Sequence, residues 1–305
     1  MPADIAAITG PVTIGRYRLR EVLGRGGSSV VYRAINDHRA TLPPVVAVKV
    51  AIDERCADVG FRADFQAQAR VSAVVDHPSV LPVVDHGVDG DRPYLVLPHI
   101  QGADLGRRVN AGALTVGRVL ALLRQVADGL DAMHRSGVLH LDVKPSNVLV
   151  GRVAGAADAA DYAGLPAGAA PDRHGEEGAY LTDLGLCRFM ADPPGPHSAD
   201  FVGSPRYASP EHLRGRHVRP SADVYSLACV LFAGLAGRPP YIGDIPAVVT
   251  GHLSGLVPSL AALTALPRAL DRVVRRGMHP DPASRFASCA ELIARARLAI
   301  VDGSA

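Results

Sequence analysis

The sequence predicts an α+β protein of two lobes, a small β-rich N-terminal lobe with one helix and a larger, mostly α-helical C-terminal lobe. Before residue 100 the chain is broken into short runs rich in β-branched and aromatic residues, RYRLREVLG, SSVVYRAIN, VVAVKVAI and PYLVLPHI, separated by Gly, Pro and Asp. From Val116 onward, apolar residues recur at i, i+3, i+4 and i+7. The 305 residues are 48% apolar and 20% charged, enough to bury a sizeable core and too few charges for a disordered chain.

In chain order, residues 1–15 read as a tail. Asp4 stands where a secretory signal would be basic, and no sustained apolar core follows. Residues 16–97 hold five expected strands and one helix, Phe61 to Val75, which His77-Pro78 ends. Residues 98–104 are expected to be a hinge. Residues 105–301 form the larger lobe. Its first long helix carries Val116, Val119, Leu120, Leu123, Val126, Ala127 and Leu130 on one face and stops at Gly137. Further helices are expected over Ala222–Ala236, Ala247–Leu253, Ala269–Met278 and Ala287–Val301. Residues 151–179, rich in Ala, Gly and Asp without a sustained period, read as a surface insertion, and 302–305 as a tail.

The longest apolar run, Val224 to Gly237, is too short to span a bilayer and suits a buried helix. A net charge of +2 argues against nucleic-acid binding. Cys56, Cys187, Cys229 and Cys289 lie far apart without metal-ligand spacing, as expected of free thiols in a cytoplasmic protein.

Four features carry chemistry. Leu23, Gly24, Arg25, Gly26, Gly27, Ser28, Val30 and Val31 lie between two strand-like runs, where glycines let a backbone approach phosphate oxygens. A glycine-punctuated hairpin with no ligand fits the same residues. Lys49 sits inside an apolar strand, so its ammonium either snorkels to water or faces an anion. Asp142 and Asn147 in LHLDVKPSNVLV, and Asp183 in TDLG, offer hard oxygen ligands suited to Mg²⁺. Taken singly, each of them equally fits a turn or a cap.

Their order decides between these readings. A glycine loop, a strand lysine, H-x-D-x-K-P-x-N, D-x-G and Ser209-Pro210-Glu211 follow one another as in the protein-kinase signature set. From Arg16 to about Val301 the chain resembles the bacterial eukaryotic-like (Hanks-type) Ser/Thr protein kinases and their bilobal fold. The resemblance extends to SADVYSLACVLF, with Asp223, and to DPASRF, with Arg285 as partner of Glu211. It implies that the glycine loop covers the ATP phosphates and that Lys49 contacts them. Asp142 is then the base toward the acceptor hydroxyl, and Lys144 a cation beside the transferred group. Asn147 and Asp183 become ligands of Mg²⁺, with Mn²⁺ as its substitute. Val30, Ala47 and Leu149 would wall the adenine, Leu97 would be the gatekeeper, and the Ile100 backbone would bond the adenine edge. Lys144 and Ser204 match the Ser/Thr type, so the implied partners are ATP and a protein serine or threonine. The chain is expected as a monomer or weak dimer.

Three positions depart from the family pattern. Gln68 stands where a helix glutamate usually pairs with the strand lysine, and Leu141 where an arginine usually reads a loop phosphate. Leu184 replaces a phenylalanine, a mild apolar exchange. Glu54 lies near in sequence but precedes the helix. The segment from Leu186 to Ser209, with Ser198, Ser204 and Ser209, has no threonine. An active Ser/Thr kinase with weakened regulatory elements is the favoured reading. A pseudokinase acting as a nucleotide-binding scaffold is the alternative, and a small-molecule kinase of related fold is disfavoured by GSPRYASPE.

Overall fold

The computed structural model describes residues 12–37, 43–52, 56, 59–154, 177–191 and 203–302. The chain divides into two compact units, Met1–Gln101 with Gly151–Glu177, and Gly102–Val150 with Gly178–Ala305.

The first unit is a six-stranded antiparallel sheet and one helix. β1 (Thr13–Ile14), β2 (Tyr17–Arg25), β3 (Ser29–Asn36) and β4 (Val45–Ala51) are followed by α1 (Val59–Val74), β5 (Asp85–Asp89) and β6 (Arg92–Pro98), in the order β1-β2-β3-β4-β6-β5. The sheet has one strand more than the five expected, because β1 lies in residues that the sequence reads as a tail, where Thr13 pairs with Arg18 and Ile14 with Tyr17. β5, DHGVD, has no apolar alternation and is held by its backbone register with β6, His86 opposite Leu95 and Val88 opposite Pro93. Period-two alternation sorts β4 into two faces. Val46, Val48 and Val50 pack with Tyr17, Leu19, Tyr32 and Val96. Ala51 on the opposite face packs with Leu95 and, from α1, Phe65. Lys49 alternates with the valines and so shares the α1-facing side.

After β6, β7 (Ile100–Asp104) occupies most of the expected hinge. It is followed by α2 (Leu105–Asn110), α3 (Val116–Arg135), β8 (Val138–Leu139), β9 (Val148–Val153), β10 (Gly178–Leu181) and β11 (Arg188–Phe189). Strands β10, β9 and β7 form a three-stranded sheet in that order. The expected insertion is therefore strand at both edges, β9 running on to Val153 and β10 beginning at Gly178. Val150, Val153, Ala179 and Leu181 are buried there. Residues 155–176 lie outside the described residues. Then come α4 (Pro210–Leu213), α5 (Pro220–Ala236), α6 (Ile245–Ser254), α7 (Ala269–Gly277) and α8 (Cys289–Asp302).

Both long helices follow their local chemistry. Thr115 caps α3, accepting from Arg118 N–H, and the buried stripe Val119, Leu123, Val126 and Leu130 is the one its spacing predicts. α5 has Pro220 at its first position and Gly237 at φ 72°, and is buried on all sides from Ala222 to Ala233. Among the described residues no helix is long and apolar enough to cross a membrane.

His252 on α6 is fully buried, with Nδ1 2.8 Å from the Tyr225 hydroxyl and its ring edge-on to Tyr241 at 4.6 Å. Burial pushes its pKa down to about 4, against a smaller opposing pull from the Arg206 main chain. The unfolded imidazole titrates near 6.5, so the unfolded state takes up the proton first as pH falls. This group leaves stability untouched above that value and lowers it by roughly 2 kcal/mol by pH 5. Denaturant titrations at pH 7 and pH 5 should show His252→Asn losing less stability than wild type by that amount. Equal losses would contradict the assignment.

Candidate active site

In the first unit, β2 and β3 meet with Gly24 opposite Val31 and Arg25 opposite Val30, and Gly26 N–H closes the turn onto Ser29 O at 2.8 Å. A Cβ added at Gly24 or Gly27 would meet nothing within 4 Å, so the protein's own packing does not demand these glycines. Open space over a hairpin is what a ligand approaching the backbone requires. Leu23 is exposed at 36%, Val30 is buried, and Ala47 sits on β4 opposite Leu97 of β6.

Lys49 Nζ donates to Gln68 Oε1 at 3.1 Å and stands 5.7 Å from the Phe65 ring centroid. Gln68 is the α1 residue that the resemblance aligned with the usual glutamate, and it makes the expected contact as an amide. Glu54 lies outside the described residues.

In the second unit, Asp142, Lys144 and Asn147 share the loop between β8 and β9. Lys144 Nζ donates to Asp142 Oδ2 at 2.7 Å and to Ser204 Oγ at 2.8 Å. Asn147 Nδ2 donates to both the main-chain oxygen and Oδ2 of Asp142, each at 2.9 Å. These bonds use up the donor end of the amide and leave Asn147 Oδ1 as its acceptor. Thr182 N–H donates to Asn147 O at 3.0 Å, which brings the chain entering Asp183 beside Asn147. Asp183 itself adopts φ 63°, ψ 69°, an uncommon conformation for a residue with a side chain. A buried amide oxygen and a carboxylate on adjoining backbone form a hard-oxygen donor set that fits Mg²⁺. Leu149 is half-buried on β9, and Ile100 opens β7.

What holds the loop is a residue whose part in the site the sequence did not disclose. Asp223, at the start of α5, is fully buried. It accepts from His140 N–H at 2.9 Å and Leu141 N–H at 2.8 Å, and lies 2.8 Å from His134 Nε2. Burial alone would raise its pKa. The hydrogen bond and charge of His134, the charge of His140 and the His140 N–H outweigh burial and hold the carboxyl below its ordinary value. Leu141 has φ 62° and packs with Leu139, Val218 and Ala222. His134, near the end of α3, has no local signal beyond its place before the stop at Gly137.

Glu211 on α4 and Arg285 form a bidentate pair with both bonds at 2.7 Å. Residues 17–293 match the protein kinase domain family. The chain belongs to the protein kinase family. The kinase domain is 33% identical over 288 residues to "Serine/threonine-protein kinase PknE" of Mycobacterium bovis, which covers 94% of this chain and 46% of that protein. It is 34% identical over 291 residues to "Serine/threonine-protein kinase PknH" of Mycobacterium tuberculosis, covering 94% and 42% respectively. The chain thus spans less than half the length of these curated relatives. Among solved structures, the Mycobacterium tuberculosis PknI kinase domain aligns with TM-score 0.69 and 28% identity over 96% of this chain and 99% of that one.

Proposed function

We propose that this kinase domain is an ATP-dependent Ser/Thr protein kinase with weakened regulatory elements. The observation that carries this reading is the cluster in which Lys144 joins Asp142 to Ser204 while Asn147 braces the same carboxylate. Asp142 Oδ2 is taken up by two donors, so Oδ1 is the oxygen left to receive the acceptor proton. In the transfer, the acceptor oxygen bonds to the γ-phosphorus as the bond from that phosphorus to the ADP oxygen breaks. The hydroxyl proton passes to Asp142, and Lys144 stabilises charge on the moving phosphoryl group. Bound Mg²⁺, or Mn²⁺ in its place, would neutralise the phosphates, held by Asn147 and Asp183. Gly24–Val31 and Lys49 would bind the phosphates, with Val30, Ala47, Leu97, Ile100 and Leu149 around the adenine.

Leu141 supports control that does not depend on a phosphorylated loop, because an aliphatic side chain cannot bind phosphate. We place the domain in the cytoplasm, a reading supported by the buried free thiols Cys56, Cys229 and Cys289.

Labelled ATP with Mg²⁺ and a protein acceptor tests the reading, with Asp142→Asn as the control. Equal background incorporation by both proteins would overturn it. One observation favours the alternative of a nucleotide-binding scaffold. Gln68 gives Lys49 a hydrogen-bond acceptor but no counter-charge, where a carboxylate would supply both. Gln68→Glu should therefore tighten the lysine by about 1 kcal/mol and improve kcat/KM for ATP about five-fold. Steady-state kinetics over an ATP series would show it, and an unchanged value would mean that Gln68 does not limit the enzyme.

A further inference from the structure

Asp131 and His134 stand one turn apart near the end of α3, and Cys289 opens α8 against them. Their ligand atoms, a carboxylate oxygen, an imidazole nitrogen and the thiol sulfur, all lie within 4.8 Å of one another. A tetrahedral ion holds such atoms about 3.5 Å apart, so side-chain adjustments of little more than about 1 Å close the set. Cys289 lies 158 positions from Asp131, so no cysteine spacing in the sequence discloses the cluster. It belongs to the second unit and shares no residue with the oxygen donors Asn147 and Asp183.

The three side chains are already oriented by their neighbours. Asp131 accepts from the N–H groups of Cys289 at 2.9 Å and Ala290 at 3.0 Å, one on each oxygen, and each oxygen keeps a second lone pair. His134 Nε2 lies 2.8 Å from Asp223, whose carboxyl is held below its ordinary pKa and is therefore an ionised acceptor. The ring proton then sits on Nε2, and the neutral imidazole turns a bare Nδ1 toward Asp131. That nitrogen is 3.8 Å from Asp131 Oδ1, too far for a hydrogen bond. An imidazole that gives its far N–H to a carboxylate is the arrangement of a metal-bound histidine. Cys289 is a free, fully buried thiol, whereas the side chains of Asp131 and His134 are 14% and 10% exposed and leave an entry from the surface. Sulfur and imidazole beside one carboxylate suit a borderline ion such as Zn²⁺, while Mg²⁺ takes oxygen ligands.

We propose that Asp131, His134 and Cys289 form a Zn²⁺ site, with water as the fourth ligand. On binding, the Sγ–H bond breaks as the Sγ–Zn bond forms, and the proton leaves to solvent. Burial, aided by the Asp131 carboxylate, holds this thiol above its ordinary range, so the ion displaces a firmly held proton. The bound ion ties α3 to the start of α8. It also fixes the His134 ring that supports Asp223 and, through Asp223, the main chain at His140 and Leu141.

Co²⁺, a spectroscopic stand-in for Zn²⁺, tests the site on the full chain with Mg²⁺ in excess. A thiolate-to-metal charge-transfer band, with the visible bands of tetrahedral Co²⁺, should saturate at one ion per chain, and Zn²⁺ should bleach it. Oxygen ligands alone give no such charge-transfer band, so the donor set of Asn147 and Asp183 cannot imitate it. Cys289→Ser should abolish the band, and Asp131→Asn should weaken Co²⁺ binding about ten-fold. Cys187→Ser, which removes the half-buried thiol, should leave it unchanged. Zn²⁺ should raise the melting temperature of the wild type and not that of Cys289→Ser. X-ray absorption on the Zn²⁺-loaded wild type needs no variant, and should find one sulfur at about 2.3 Å among lighter ligands. A metal shell without sulfur, no band in the wild type, or a band that survives Cys289→Ser or vanishes in Cys187→Ser would overturn the proposal.

Discussion

Replacing Asp142 by asparagine should slow phosphate transfer about a thousand-fold while leaving the fold and nucleotide binding intact. The substitution keeps shape, and the remaining amide oxygen still accepts from Lys144 and Asn147, now 2.7 and 2.9 Å from Oδ2. What the amide lacks is an oxygen able to take a proton from the acceptor hydroxyl. Lys144 and Ser204 stay in place, so residual positioning and charge stabilisation keep the rate above background. Initial rates with labelled ATP measure the loss. A thermal shift with ATP and Mg²⁺, which reports binding to the folded state only, should be as large for the variant as for the wild type. A shift that disappears would mean that Asp142 is needed for binding, and the role given to it here would be wrong.

Asp223→Ala should destabilise the domain by about 5 kcal/mol. The side chain removed is a fully buried acceptor serving two main-chain N–H groups and His134. Each buried amide left unmade costs about 1–3 kcal/mol. The cavity and the stranded imidazole add to that. The loop would lose geometry as well as stability. Leu141 at φ 62° holds a conformation worth about 1–2 kcal/mol of strain, and the bond from its N–H to Asp223 keeps it there. Released, it relaxes and carries Asp142 with it. Denaturant titration measures the first effect, and kcat at a temperature where the variant is still folded measures the second. Asp223 also sets an acid limit. A carboxyl held below its ordinary value contributes stability above about pH 4, the unfolded value, and that contribution is lost as pH falls through the folded one. A variant that folds as well as the wild type, with the same kcat, would show that the loop stands without Asp223.

The elements were legible wherever a periodic apolar pattern was long. α3 and α5 fall within two residues of their expected limits, because each buries a continuous stripe or its whole circumference. The short helices α2 and α4 were passed over, although Asp104 before Leu105 and Ser209-Pro210 before Glu211 are good starts. A helix of one turn has no period to detect. β5 escaped notice for a related reason, its polar DHGVD being fixed by backbone pairing alone. At the site, Lys49 and Gln68 could be matched through the spacing of a strand and a helix, and Asp142, Lys144 and Asn147 through their nearness in sequence. The brace from Asp223 to His140 and Leu141 joins residues more than eighty positions apart. Only the folded chain reveals that a buried carboxylate is occupied by main-chain amides.

Leu141 also bears on the history open to this chain. It is buried with Leu139, Val218 and Ala222. A single mutation of Leu141 to arginine would press a guanidinium into that apolar nest, and charge is expensive to bury without a partner. Selection could not test phosphate control one step at a time, since the intermediate would lose stability before it gained a switch. The leucine acts as a ratchet: a descendant that answers to phosphorylation would have to remodel the floor beneath the loop first.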